Sequence, residues 1–203
     1  MSKKLKTALC ASLVMGLAVA NTASAFDQGD WLLRFGGSYI NPTSDNHDIV
    51  SVDGAASFTF NFSYMMTDHW AVELLAAYPF KHDIDLIDGT EVASTKQLPP
   101  TLNLQYHFAP DSKFQPYLGA GLNYTMFFSE KTTGPLAGSD LSLGSSWGLG
   151  GQVGVDILLN DQWFLNADIR YIDIQTKAKL DGADLGKVKI NPWVYGLNVG
   201  FRF

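Results

Sequence analysis

The chain has 203 residues, with 20 acidic side chains against 14 lysines and arginines and a formal net charge of −6. That balance argues against a nucleic-acid partner, and a single cysteine excludes a disulfide framework. Mean hydropathy is close to zero, aromatics make up 13% and glycines number 19, which fits a soluble sandwich or a membrane barrel equally well; periodicity has to separate the two.

The N-terminus reads as an export signal. Lys3, Lys4 and Lys6 precede an uncharged run from Thr7 to Ala20, and Ala23-Ser24-Ala25 is a small-x-small cleavage pattern. The run falls short of the ~20 residues a spanning helix needs. The expected organisation is a signal peptide over 1–25 and one mature domain over 26–203. Cys10 and three lysines leave with the signal, so the mature chain has no cysteine and is more acidic still.

Eight segments of period-2 alternation follow. The first sets Trp31, Leu33, Phe35 and Tyr39 on one face. The second is the cleanest, with Phe58, Phe60, Phe62 and Tyr64 against Thr59, Asn61 and Ser63. The third sets Trp70, Val72, Leu74 and Ala76 against Ala71, Glu73 and Leu75. The fourth sets Leu102, Leu104, Tyr106 and Phe108 against Asn103, Gln105 and His107. The fifth carries Leu118 to Met126 with glycine and Asn123 between, and the sixth Trp147 to Ile157 with Gln152 and Asp156 between. The seventh sets Trp163, Leu165 and Ile169 against Asn166, Asp168 and Arg170. The last is "WVYGLNVGFRF".

The connections alternate in length. Short ones lie at Thr67-Asp68, Pro110-Asp111 and Asn160-Asp161; long ones run from Asn41 to Ser57, Lys81 to Pro100, Ser129 to Ser145 and Gln175 to Lys187. An outer-membrane barrel explains this alternation, with short periplasmic turns and long outer loops. So does a wide aromatic face opposite one of Arg, Glu, Asp, Asn, Gln and Gly, which suits lipid outside and a tight polar interior. Aromatics at strand ends form an interfacial girdle. The fold expected is all-β, an eight-stranded antiparallel transmembrane barrel whose last strand pairs with the first.

The stretches "YMMTDHWAVELLAAYPFKH", "LPPTLNLQYHF", "KFQPYLGAGLNYTMFF", "DLSLGSSWGLGGQVGVD" and "NPWVYGLNVGFRF" together resemble the OmpW/AlkL group of small eight-stranded outer-membrane barrels, over nearly all of the mature chain. The resemblance implies a narrow barrel of a Gram-negative outer membrane that passes small hydrophobic molecules inward. It also allows a surface role, since some members serve as phage or colicin receptors. Trp193, Tyr195, Phe201 and the terminal Phe203 look like the signal read by the barrel assembly machinery.

Within this barrel the inner face should carry Arg34, Glu73, His107, Asp156, Asp168, Arg170 and Arg202, a polar network that fills the bore. Leu75, Phe127, Ile172 and Val194 also face inward, nearer the outer end, as an apolar vestibule interrupted by Arg170. Pro79, Pro99 and Pro100 flank the third and fourth strands and donate no ladder bonds, which marks a seam that can open toward lipid. Neither a catalytic site nor a cofactor is called for: His47 and His82 lie near Asp45, Asp48 and Asp83 without metal-ligand spacing, and Val153 stands where "GLGGQVG" would need a glycine to hold phosphate.

Overall fold

A computed structural model describes residues 26–43, 50–86 and 88–203. Cys10, the cleavage residues Ala23 and Ala25, and the Asp45, His47 and Asp48 group lie outside the described residues. Fourteen strands occur among those described: β1 (Trp31–Asn41), β2 (Val50–Val52), β3 (Ala55–Met65), β4 (Trp70–Ala77), β5 (Phe80–Leu86), β6 (Glu91–Leu98), β7 (Thr101–His107), β8 (Phe114–Thr132), β9 (Leu141–Leu143), β10 (Ser146–Leu158), β11 (Trp163–Ile172), β12 (Gln175–Leu180), β13 (Ala183–Lys189) and β14 (Trp193–Arg202).

Eight of them close the barrel. β1, β3, β4, β7, β8, β10, β11 and β14 pair antiparallel in that order, and β14 returns to β1 through Phe35↔Val199 and Tyr39↔Tyr195. Beyond the last rung the backbone of Phe203 exchanges both hydrogen bonds with Trp31, at 2.9 and 3.0 Å. Closure gives every barrel strand a partner on both sides.

The pleat distributes the side chains as the alternation requires. Phe58, Phe60 and Phe62 stand outside while Thr59, Asn61 and Ser63 are buried within. Toward the periplasm the outer face carries a ring of touching aromatics: Trp31 on Tyr64 at 4.7 Å, Trp163 on Phe201 at 4.9 Å and Trp70 on Tyr106 at 5.0 Å. Toward the exterior Tyr124 meets Trp147 and Tyr171 meets Trp193. Eight residues of tilted strand separate Trp163 from Tyr171, which sets the girdles roughly 20 Å apart along the barrel axis. Among the described residues no helix is long and apolar enough to cross a membrane; the crossing is made by strands.

The long outer connections differ from the expected loops, because most of their residues are strands. β8 runs 19 residues and its upper half pairs with β6, which forms a hairpin with β5, which in turn carries β2. β9, β12 and β13 make a separate three-stranded sheet. In these elements the polarity is inverted: Lys81, Lys177 and Lys179 are exposed, while Phe80, His82, Thr176 and Ala178 are buried. This region faces water outside and an apolar interior inside, which places it beyond the membrane.

Candidate functional site

The interior is layered along the axis. At the periplasmic mouth Arg202 pairs with Asp30 at 3.3 Å. This corrects the sequence expectation for Arg202, which sits at the rim, partly exposed, and holds the chain entering β1. Next comes a layer the alternation does not reveal. Phe26, Leu32, Met65, Ala71, Leu158 and Phe164 form an apolar cluster, with Phe26 edge-on to Phe164 at 5.1 Å and to His107 at 6.1 Å. Phe26 precedes the first strand, so no periodicity marks it as interior.

Above this layer the charged residues come together. Arg34 grips Asp156 with a two-pronged contact, Nε to Oδ1 at 3.0 Å and Nη2 to Oδ2 at 2.6 Å. Its Nη1 donates to Ser63 Oγ at 2.8 Å and reaches Glu73 Oε2 at 3.4 Å. The other Glu73 oxygen accepts from Asn103 at 3.2 Å and lies 3.5 Å from Arg170 Nη1, an ion pair rather than a hydrogen bond. Arg170 Nε donates to Asp168 at 2.6 Å. Asn198 then bridges Asp168 to Asn166, and Asn166 donates to Asp156 at 2.8 Å. The chain of contacts therefore returns to Arg34 as a ring, two arginines with three carboxylates, and each of the eight barrel strands contributes when Tyr117, which accepts from Asn166 at 3.0 Å, is included. Arg34, Glu73, Asp156 and His107 have no exposure.

Glycines make this filling possible. A Cβ at Gly154 would run into the Tyr117 ring and one at Gly200 into Phe164. The Arg34 guanidinium in turn lies over both rings, at 5.3 and 5.5 Å. His107 belongs to this layer by packing, stacked on Tyr117 at 5.1 Å, whereas its ring nitrogens have no hydrogen-bond partner among the described residues. Its place among the hydrogen-bonded charges is thus corrected to a neighbouring contact.

The predicted apolar vestibule resolves into two parts. Leu75, Ile172 and Val194 line a narrow lumen pocket with Phe80, Ala77 and Pro99, and Arg170 forms its floor. Phe127 instead packs higher, against the apolar cluster of Ile40, Phe80, Ile174 and Ile190, and faces a second cavity enclosed by the outer strands. Phe80 lines the lumen pocket and belongs to one buried cluster with Ile190 of the outer cavity, and its burial was not read from the sequence.

The proline seam has a definite form. The β4–β7 ladder runs from Trp70↔Tyr106 to Leu75↔Thr101 and ends there. β4 continues to Ala77 paired only with β3. Across from it stand Pro99 and Pro100, whose carbonyls turn away to accept from Asn123 of β8 at 3.1 and 3.2 Å. Pro79 sits at the top of the same gap, between β4 and β5. Of the candidates His47 and His82 with their neighbouring aspartates, His82 and Asp83 are described: the His82 Nδ1 is engaged with the Asp53 carbonyl at 2.7 Å and Asp83 pairs with Lys81. No three His, Cys, Asp or Glu among the described residues converge as a metal site requires.

The model of the OmpW family matches residues 27–203. The chain belongs to the OmpW family. Outer membrane protein W of Escherichia coli K12 is 41% identical over 212 aligned residues, covering 98% of this chain and all of that protein. Outer membrane protein AlkL of Ectopseudomonas oleovorans is 26% identical, with 96% and 94% covered. Among solved structures, the crystal structure of OprG from Pseudomonas aeruginosa superposes with a TM-score of 0.78 at 35% identity, covering 88% of this chain and 98% of that one. These relatives carry the names of outer-membrane proteins, and the protein is an outer-membrane barrel of a Gram-negative bacterium.

Proposed function

We propose that this barrel gives small hydrophobic molecules passive entry from outside and releases them sideways into the membrane. The observation that carries this reading is the interrupted ladder beside the apolar lumen pocket. An apolar solute moving straight down would have to enter the Arg34–Glu73–Asp156 layer and displace hydrogen bonds worth about 1–3 kcal/mol each when left unmet. It would then face the apolar plug around Phe26. Sideways, between Ala76–Ala77 and Pro99–Pro100, no ladder pair has to break, and lipid lies beyond. In this reading Leu75, Ile172 and Val194, which leave a space of only about 10 Å³ in the closed barrel, part to form the resting place, with Arg170 as its polar floor and Pro79, Pro99 and Pro100 as the frame of the exit.

The test is a staple across the gap. Ala76→Cys with Pro100→Cys falls at the rung that would follow Leu75–Thr101 in register. Cross-linking is scored on a non-reducing gel. Uptake of a radiolabelled alkane by cells should fall to the level of cells lacking the protein when the staple is closed and return on reduction. Unchanged uptake with the staple closed rejects the exit.

A second reading is a surface receptor, for example for a phage or colicin. It draws on the rigid, strand-built outer region and the filled bore, and neither requires solute movement. Under that reading substitutions on exposed faces of β12–β13, such as Lys177→Glu, abolish partner adsorption while uptake stays at background in all strains.

A further inference from the structure

Above the layer of Ile40, Phe80 and Val194, the outer strands enclose a cavity of about 110 Å³ walled by Val52, Phe127, Leu143, Leu185 and Val188. Four buried polar side chains interrupt that wall: the Thr95 and Thr176 hydroxyls donate to the backbone carbonyls of Lys96 and Gly144, while His82 from β5 and Gln97 from β6 are the other two. In the hairpin His82 stands opposite Thr95 and Gln97 opposite Phe80, so His82 and Gln97 are diagonal neighbours on the inner face, within reach of one ligand group.

Their chemistry is specific. His82 Nδ1 lies 2.7 Å from the carbonyl of Asp53. A carbonyl only accepts, so the proton is on Nδ1 and Nε2 of the neutral ring is an acceptor. Burial holds the imidazole below its ordinary value of 6.5, which keeps the ring neutral at pH 7. Among the described residues Nε2 has no hydrogen-bond partner, and neither does the oxygen or nitrogen of the Gln97 amide. Both groups therefore hold unmet hydrogen-bonding capacity just beneath the apolar surface of the cavity, a costly arrangement unless a ligand group displaces that cover and completes it.

The ligand groups can be sorted by what they would satisfy. A hydrocarbon satisfies neither. A ketone or ester accepts from Gln97 but offers nothing to Nε2. A carboxylate sets lone pairs against Nε2 and brings negative charge toward Asp53 and Asp83, whose fields already act on His82. A hydroxyl donates its proton to Nε2 and accepts from the amide. We propose that this cavity is a binding site for an uncharged, otherwise apolar molecule bearing one hydroxyl group, held between His82 Nε2 and the Gln97 side chain. The site deepens the uptake reading, on which it rests for the direction of travel: it makes the outer cavity the selective step.

The experiment uses the full mature barrel in dimyristoylphosphatidylcholine nanodiscs, with 1-heptanol and 2-heptanone compared at equal free concentration by ligand-observed NMR. The alcohol should bind about tenfold or more tightly than the ketone, and its binding should move the His82 Nε2 nitrogen resonance. His82→Phe and, separately, Gln97→Leu should bring the ratio near unity; heat-modifiable gel migration reports whether each variant is folded. The parent's ratio is decisive without either variant. Equal affinity in the parent, the result if trapped water alone satisfies the two side chains, overturns the site, as does a full ratio retained in folded His82→Phe. Uptake of n-heptane by cells is followed in parallel. Loss of uptake with the alcohol preference intact sinks the uptake reading and leaves the site; uptake without any preference does the reverse.

Discussion

Arg34 shows how one residue can organise a narrow barrel. Its fork is matched to Asp156, its remaining donor to Ser63 and Glu73, and its faces to Tyr117 and Phe164. Arg34→Ala leaves two carboxylates buried without this cation and should lower unfolding stability in lipid vesicles by ~3–5 kcal/mol. Arg34→Lys should recover only part of it, because a point charge cannot reproduce the fork. His82 gives a pH dependence of opposite sign to a salt-bridged histidine. Its value is depressed by burial, against smaller raising contributions from Asp53 and Asp83. The unfolded chain therefore takes up the proton first, and stability is lost as pH falls from 6.5 toward the lower folded value. Protection factors of the β5 and β6 amides, with the pH dependence of intrinsic exchange divided out, should be lower at pH 5 than at pH 7.5, and this difference should vanish in His82→Phe. The inward position of Arg34, Glu73, Asp156, Asp168 and Arg170 was legible from alternation alone. Their pairing was not, since Arg34 and Asp156 are 122 positions apart and meet only through the stagger of a closed barrel. Arg202 illustrates the limit: the same alternation pointed it inward, but its height put it beside Asp30 at the rim.

Among elements, β3 gives the cleanest test of the two faces. Phe60 stands opposite Phe35 on the lipid side. Phe60→Arg should cost ~2–4 kcal/mol near mid-membrane, measured by refolding into bilayers; equal stability would mean the register is off by one. β14 carries the closing contacts, with Phe203 bonded to Trp31 and its ring 6.2 Å from Phe62. Phe203→Ser should therefore leave the protein degraded or in the periplasm, read by fractionation and blotting. The membrane strands were legible because lipid and a polar bore give a period-2 pattern of high contrast. The outer strands carry the same period with the opposite meaning. "FKHDIDL" buries Phe80 and His82 and exposes Lys81, and "QTKAKL" buries Thr176 and Ala178 between exposed lysines. Their mixture of small polar residues and charge resembles loop composition, which concealed them; lysine at every second position was the available signal.

At the scale of the whole molecule, the interior is a stack: an apolar plug below, a ring of charges across all eight strands, a narrow apolar pocket beside an interrupted wall, and an outer cavity above. Phe26, which completes the plug, precedes the first strand, and the outer strands carry the period with its meaning reversed, so the plug and the cavity around His82 emerged from the fold. The plug and the ring together leave Arg34, Glu73 and Asp156 without solvent contact. In planar bilayers the parent should carry no sustained ion current, while Phe26→Ala with Arg34→Ala, if it inserts, should conduct; a steady current through the parent would reject the seal. The floor has a consequence for the cell's electrical and chemical barrier. Each added copy of a water-filled pore admits salts and hydrophilic antibiotics in proportion to its abundance, whereas a barrel stoppered at its inner end adds none of that leak. If the parent passes that bilayer test, such a protein could be expressed to high levels with the envelope's resistance to polar toxins intact.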